Sequence, residues 1–251
     1  MSKFDALEKQ LSLYHALQFH QNPDIAKRLN DVQLWQKERM KFTHQVFFAL
    51  AEHHLMTQYF LNRLYGGPDF EVLSQQIARV IKYAHKVEKI MPDSAIRTGS
   101  AGVELAVLAV RLDEEIASDI LKTHGVDKAI DDEMMRLSYL KMDQSNLRYH
   151  QMDLLDELGK SLDKYMRSFI VQSAFKMAKG LAYRHRFDAM YEFMQEGFDA
   201  MKPLSSAEEF VKVFTAEERA IIASVHSGEP HPFSRPAAFQ PADELQPLKY
   251  S

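Results

Sequence analysis

Glu104 is the only polar side chain in Ala101–Val110, a decade otherwise built of Gly, Ala, Val and Leu. A helix apolar on all sides is buried on all sides. The carboxylate is therefore expected in the core, where it must be paired with an arginine, bonded by several donors or held protonated. One reading makes Glu104 the polar group of a ligand pocket, with a raised pKa. The other makes it a satisfied core acid meeting Arg39, Arg63 or Arg111. Gly99 and Gly102, three apart, would let a neighbouring helix approach closely.

Eleven histidines raise the question of a metal. His85 and Glu88 are three apart, as are His150 and Asp153, so each pair could share a helix face. A diiron carboxylate bundle needs Glu-x-x-His on each of two helices, and that motif is absent from the chain, as is His-Glu-x-x-His. His53-His54 is adjacent, which points the rings apart on a helix. Asp127, Asp131 and Asp132, and Asp153, Asp156 and Glu157, have the one-turn spacing of magnesium-binding aspartates in helical prenyl diphosphate synthases. Such clusters are also ordinary solvated helix faces. No Gly-x-Ser-x-Gly and no phosphate-cradling glycine loop occurs. We expect no metal and no cofactor.

The elements that carry these residues read as helices throughout, with apolar residues recurring at three and four and nothing reading as a strand. Phe4, Leu7, Leu11, Tyr14 and Leu17 mark the first helix, and Asn22-Pro23 starts the next. Its stripe runs from Ile25 through Leu29, Val32, Gln36, Met40, Val46, Phe47, Leu50, Phe60 and Leu61 to Leu64. Forty residues would span roughly 60 Å as one helix, so a break is expected, with Glu52-His53-His54 the least apolar point. A helix capped by Asp69 and stopped by Pro92 follows, then a long one from about Ser94 to Leu121, ended at His124-Gly125. Leu147 to Phe169 and Phe187 to Met201 mark two more. Ser205-Ser-Ala-Glu208 and Thr215-Ala-Glu-Glu218 read as capping boxes opening two short helices. Five of the nine prolines lie at 230, 232, 236, 241 and 247.

Composition excludes more than it assigns. There is no cysteine, so disulfides and thiolate chemistry are impossible. Lys plus Arg number 31 and Asp plus Glu 35, a net charge of −4, and no local basic patch for nucleic acid stands out. The charged start Met1–Gln10 and the lack of a long apolar run lead us to expect a soluble, cytoplasmic protein with no membrane span. The chain has thirteen methionines and sixteen phenylalanines, of which nine methionines and five phenylalanines lie between Met134 and Met201. Such a stripe is usually core, but an exposed one predicts self-association or an amphipathic partner helix.

Leu34-Trp35-Gln-Lys-Glu-Arg39, Tyr59-Phe-Leu-Asn-Arg-Leu-Tyr65-Gly-Gly-Pro-Asp-Phe70, Val103-Glu-Leu105 with Arg111-Leu-Asp113, and Glu217-Glu-Arg219 through Gly228 to Phe233 resemble the bacterial proteins labelled by an FFLEE motif. The resemblance covers about residues 25–233. It implies an all-helical fold and brings no activity, cofactor or substrate. Asn62-Arg63 stands where that family tends to carry acids. Trp35, Arg39, Tyr65 and Glu104 fall at matching positions and are the expected ligand-binding residues.

The reading is thus an all-α bundle of about eight or nine helices, with residues 1–228 as a single domain and 229–251 as an extended or disordered Pro-rich tail. The leading function is non-catalytic association, as a homodimer through the tail or the Met-rich helices. The alternative is a binding protein or enzyme with a buried pocket at Glu104 for an apolar small molecule or lipid.

Overall fold

Asn22 closes its side chain over the start of a 21-residue helix: its Oδ1 accepts from the Asp24 and Ile25 amides at 3.0 and 3.3 Å, and Pro23 takes the first turn, where a missing N–H costs nothing. Local chemistry of this kind sets most boundaries in the computed structural model, which describes residues 4–66, 70–83 and 93–233. Among them are eleven α-helices and no strand. They are α1 (Asp5–His15), α2 (Pro23–Thr43), α3 (Gln45–Phe48), α4 (His54–Tyr59), α5 (Phe70–Lys82), α6 (Asp93–His124), α7 (Asp132–Met142), α8 (Ser145–Met166), α9 (Phe169–Arg184), α10 (Asp188–Met201) and α11 (Ala207–His226).

The expected count of eight or nine is corrected to eleven for identifiable reasons. The forty-residue stripe does break, but from His44 rather than first at Glu52–His54, giving α2, α3, a 3₁₀ turn at Ala51–His53, α4 and a π turn at Phe60–Leu64. His44 is polar yet almost wholly buried, so the apolar minimum did not mark the bend. Gly66, with φ +74°, ends the run in a left-handed conformation that suits glycine. At the other end, the two expected short helices are one, α11. Its N-cap is Ser206, whose Oγ accepts from the Glu209 amide at 3.2 Å. Thr215 lies mid-helix because its hydroxyl is satisfied by the Lys212 carbonyl and by Asp156 Oδ1 at 2.6 Å. Helices α7 and α9 were not anticipated.

The 32-residue α6 is the axis, roughly 48 Å long at 1.5 Å per residue. Leu112, Ile116, Ala117 and Ile120 in its C-terminal half are fully buried. α2 and α1 pack along it, and α8 joins it to α11. Arg28 of α2 ties the end of α6 down, donating from Nε to the Gly125 carbonyl at 2.8 Å and from Nη2 to the Lys128 carbonyl at 2.7 Å. Close packing between α8 and α11 depends on Gly159, where a Cβ would come within 2.8 Å of Val211.

One core gathers around Ile116, Val32, Met135 and Val225, and a second, rich in Phe and Met, around Phe47, Phe198, Phe210 and Phe214. Phe233, in the first residues of the expected tail, is buried with its ring 4.9 Å from that of Trp35. Residues 234–251 of that tail, the Asp69 cap and the His85–Glu88 pair lie outside the described residues. No described helix is long and apolar enough to cross a membrane.

Candidate functional site

The four expected site residues fall in three places. Trp35 of α2 is half-buried against the first core and donates from Nε1 to Asp132 Oδ1 at 3.0 Å. It lines an open cleft of about 660 Å³ with Ile130, Asp131, Glu133, His231 and Phe233. Glu104 is not in the core: its side chain is 41% exposed and lies 3.5 Å from His150 Nε2. The N-terminal half of α6 is only half-buried, and a Cβ at Gly99 or Gly102 would meet nothing within 4 Å, so neither the buried acid nor the close helix approach is found there. The apolar decade misled because alanine and glycine present too little side chain to oblige burial.

Arg39 and Tyr65 belong to one polar layer that joins α2, α6, α7, α8 and α11, each through its own partners. Arg39 forms an ion pair with Glu218, and His44 Nε2 lies 2.7 Å from the same carboxylate oxygen. Arg39 Nη2 donates to Gln36 Oε1 at 3.0 Å, and the Gln36 amide donates to the Tyr139 hydroxyl. Tyr65 donates to Asp113 Oδ2 at 2.7 Å. The Arg148 guanidinium sits 3.9 Å from the centre of the Tyr139 ring. The His44 ring stacks against Phe48 and against Phe214, with ring centroids 5.3 and 4.6 Å away.

The two buried acids are tuned oppositely. Burial works against the charge of Glu218, but Arg39 and then His44 outweigh it and hold the carboxyl down to about 2. For Asp113 burial prevails over Arg148, Tyr65 and Gln36, and its pKa is raised. Tyr65 is pushed well above the usual phenol range by burial and by the Asp113 charge. A group that is to do chemistry must reach substrate, and neither the Trp35 cleft nor the 430 Å³ cleft between Arg97 and Lys164 is lined by any of these residues. The layer links five helices through ion pairs and hydrogen bonds.

The other histidine and carboxylate clusters also have partners. Asp127 pairs with Lys27, Asp131 caps α7 through the Met134 amide, and Asp153 and Asp156 share Arg219. Arg63 pairs with Glu196 at 2.7 Å.

The least expected surface is α9. Ser168 Oγ caps it by accepting from the Val171 amide at 3.3 Å. Its inner side rests on α10 through Phe175, whose ring stacks on Tyr191 and meets Phe198 edge-on. None of its 16 residues is buried. Phe169 is 83% exposed, Ile170 80%, Met177 80% and Leu181 54%. Ile170, Ala174, Met177 and Leu181 are spaced four, three and four apart, so they form one stripe along the outer face. The stretch between Asp163 and Asp188 holds six cations (Lys164, Arg167, Lys176, Lys179, Arg184 and Arg186) and no acid. This is the local basic patch that overall composition concealed; counting charge segment by segment would have found it.

No curated protein and no solved structure matches the chain. A family model described as a domain of unknown function, DUF8198, matches residues 16–232, and the chain belongs to that uncharacterised family.

Proposed function

We propose that the protein is non-catalytic and acts by association, with the outer face of α9 as its contact surface and the helices up to residue 228 serving as one unit that displays it. The observation that carries this reading is the exposure of Ile170, Met177 and Leu181 on one face of one helix, with Phe169 also exposed at its first turn. Single exposed apolar side chains need no explanation, whereas a continuous strip costs solubility unless something covers it. The motifs from Leu34 to Phe233 support placing the chain among the FFLEE-labelled bacterial proteins.

A second copy is one candidate cover. The uncharged stripe Ile170, Ala174, Met177 and Leu181 has the four-three-four spacing of a helix–helix seam, the pattern a homodimer would use. Light scattering of the full chain tests this. A mass that doubles with concentration, and stays single in Ile170→Glu/Met177→Glu, is the homodimer's expected result; a monomer throughout removes it. The rival, a ligand pocket at Trp35, Arg39, Tyr65 and Glu104, has less support, because Trp35 lines the 660 Å³ cleft without the other three and Glu104 is exposed away from it. Native mass spectrometry that finds a retained apolar ligand would reverse that ranking.

A further inference from the structure

We infer that the cover of α9 is an anionic lipid surface, on which the helix lies in the plane of the interface. This rests on the reading of α9 as the contact surface and names its partner. The charge distribution carries the argument. The 24 residues 164–187 contribute +6 to a chain whose net charge is −4, so everything else together carries −10. The molecule is acidic elsewhere, yet it places six cations along and beside the most exposed apolar helix among the described residues; of these, Arg167 pairs with Asp163. Lys164, Arg184 and Arg186 form no ion pair among the described residues. Arg184 stands one turn beyond Leu181 and two beyond Met177, beside the exposed stripe.

A basic helix with Phe, Ile, Met and Leu on its free side is suited to an interface that is apolar at depth and negative at its headgroups. A second copy suits it less well, because an isologous pairing through α9 sets the same cations against each other. The area argues the same way. α9 is roughly 24 Å long, and one helix face of that length is smaller than the roughly 800 Å² per partner that a stable protein interface buries. A lipid surface needs no matching shape. Contact in the plane is also consistent with the lack of any described helix able to span a membrane.

The test is co-sedimentation of the full chain with vesicles of phosphatidylcholine alone and of phosphatidylcholine mixed equally with phosphatidylglycerol. The chain should sediment with the mixed vesicles and not with the zwitterionic ones, and added salt should release it. Ile170→Glu/Met177→Glu should abolish binding. Lys176→Gln/Arg184→Gln should weaken it about twenty-five-fold, since each cation near an anionic surface is worth roughly fivefold in affinity. Leu34→Glu, an exposed apolar position on α2, should change nothing. Thermal melting confirms that each variant is folded. Equal binding to both vesicle types overturns the inference. No vesicle binding with a dimer mass in light scattering overturns it and leaves association standing. No vesicle binding with a monomer at every concentration overturns both.

Discussion

Phe175 of α9 stacks on Tyr191 of α10 with ring centroids 4.5 Å apart and planes within 5°, while Met177, two residues on, stands 80% exposed. The helix therefore has two apolar sides, of which the fold uses one. Truncating the inner side should destabilise. Phe175→Ala is half-buried truncation and should cost about 1–3 kcal/mol in urea unfolding. Ile170→Glu/Met177→Glu on the outer side should cost no more than about 0.5 kcal/mol per site. Equal losses from both sides would mean that the outer face is packed in the protein as it exists in solution.

The polar layer should be sensitive to unbalanced charge. Glu218→Gln leaves Arg39 buried without its counter-ion, and the expected loss is about 3–5 kcal/mol. Replacing both partners, as Arg39→Met/Glu218→Leu, removes the stranded charge and should recover much of that loss. Chemical denaturation of the two single variants and the double variant measures the coupling. A Glu218→Gln protein as stable as the parent would show that the pair contributes nothing.

Acid should expose the opposite tuning of the two carboxyls. Glu218 titrates at about 2 in the folded chain, against an ordinary glutamate value of 4.5. Its contribution is complete above the ordinary value and is lost as pH falls from there through about 2, a change of about 3 kcal/mol. Asp113 has the reverse sign. Its raised pKa lets the folded state take up a proton first, so it gains stability as pH falls between its raised value and the ordinary 3.8. Asp113→Asn should therefore steepen the loss of stability with acid, and Glu218→Gln should flatten it. Unfolding free energies across this range decide the matter, and matching slopes in all three proteins would contradict it.

Helical periodicity made the all-helical class legible, together with caps such as Asn22-Pro23, because both depend on neighbours within one turn. The polar layer was half legible. Gln36 stands out as a polar residue inside an apolar stripe, and Arg39 and Tyr65 lie in the motifs of the resemblance, but Glu218 has the spacing of a capping-box end, and its meeting with Arg39 spans 179 positions. Glu104 was misplaced because a run of Ala, Gly and Val satisfies a hydrophobic count without filling space. For α9 the failure was of scale. A net charge of −4 averages away a 24-residue segment carrying +6, and an apolar stripe looks the same in sequence whether a neighbour covers it or not.

The absence of cysteine makes the central claim directly measurable. Met177→Cys and, as control, Leu34→Cys each give a single thiol for a fluorophore whose emission moves to the blue when it leaves water. On addition of phosphatidylglycerol-containing vesicles, the label at 177 should shift and the label at 34 should not; a shift on raising protein concentration alone would indicate a second copy instead. Emission at 177 that stays at its aqueous wavelength with vesicles and at every protein concentration would contradict the assignment of α9 as the contact surface.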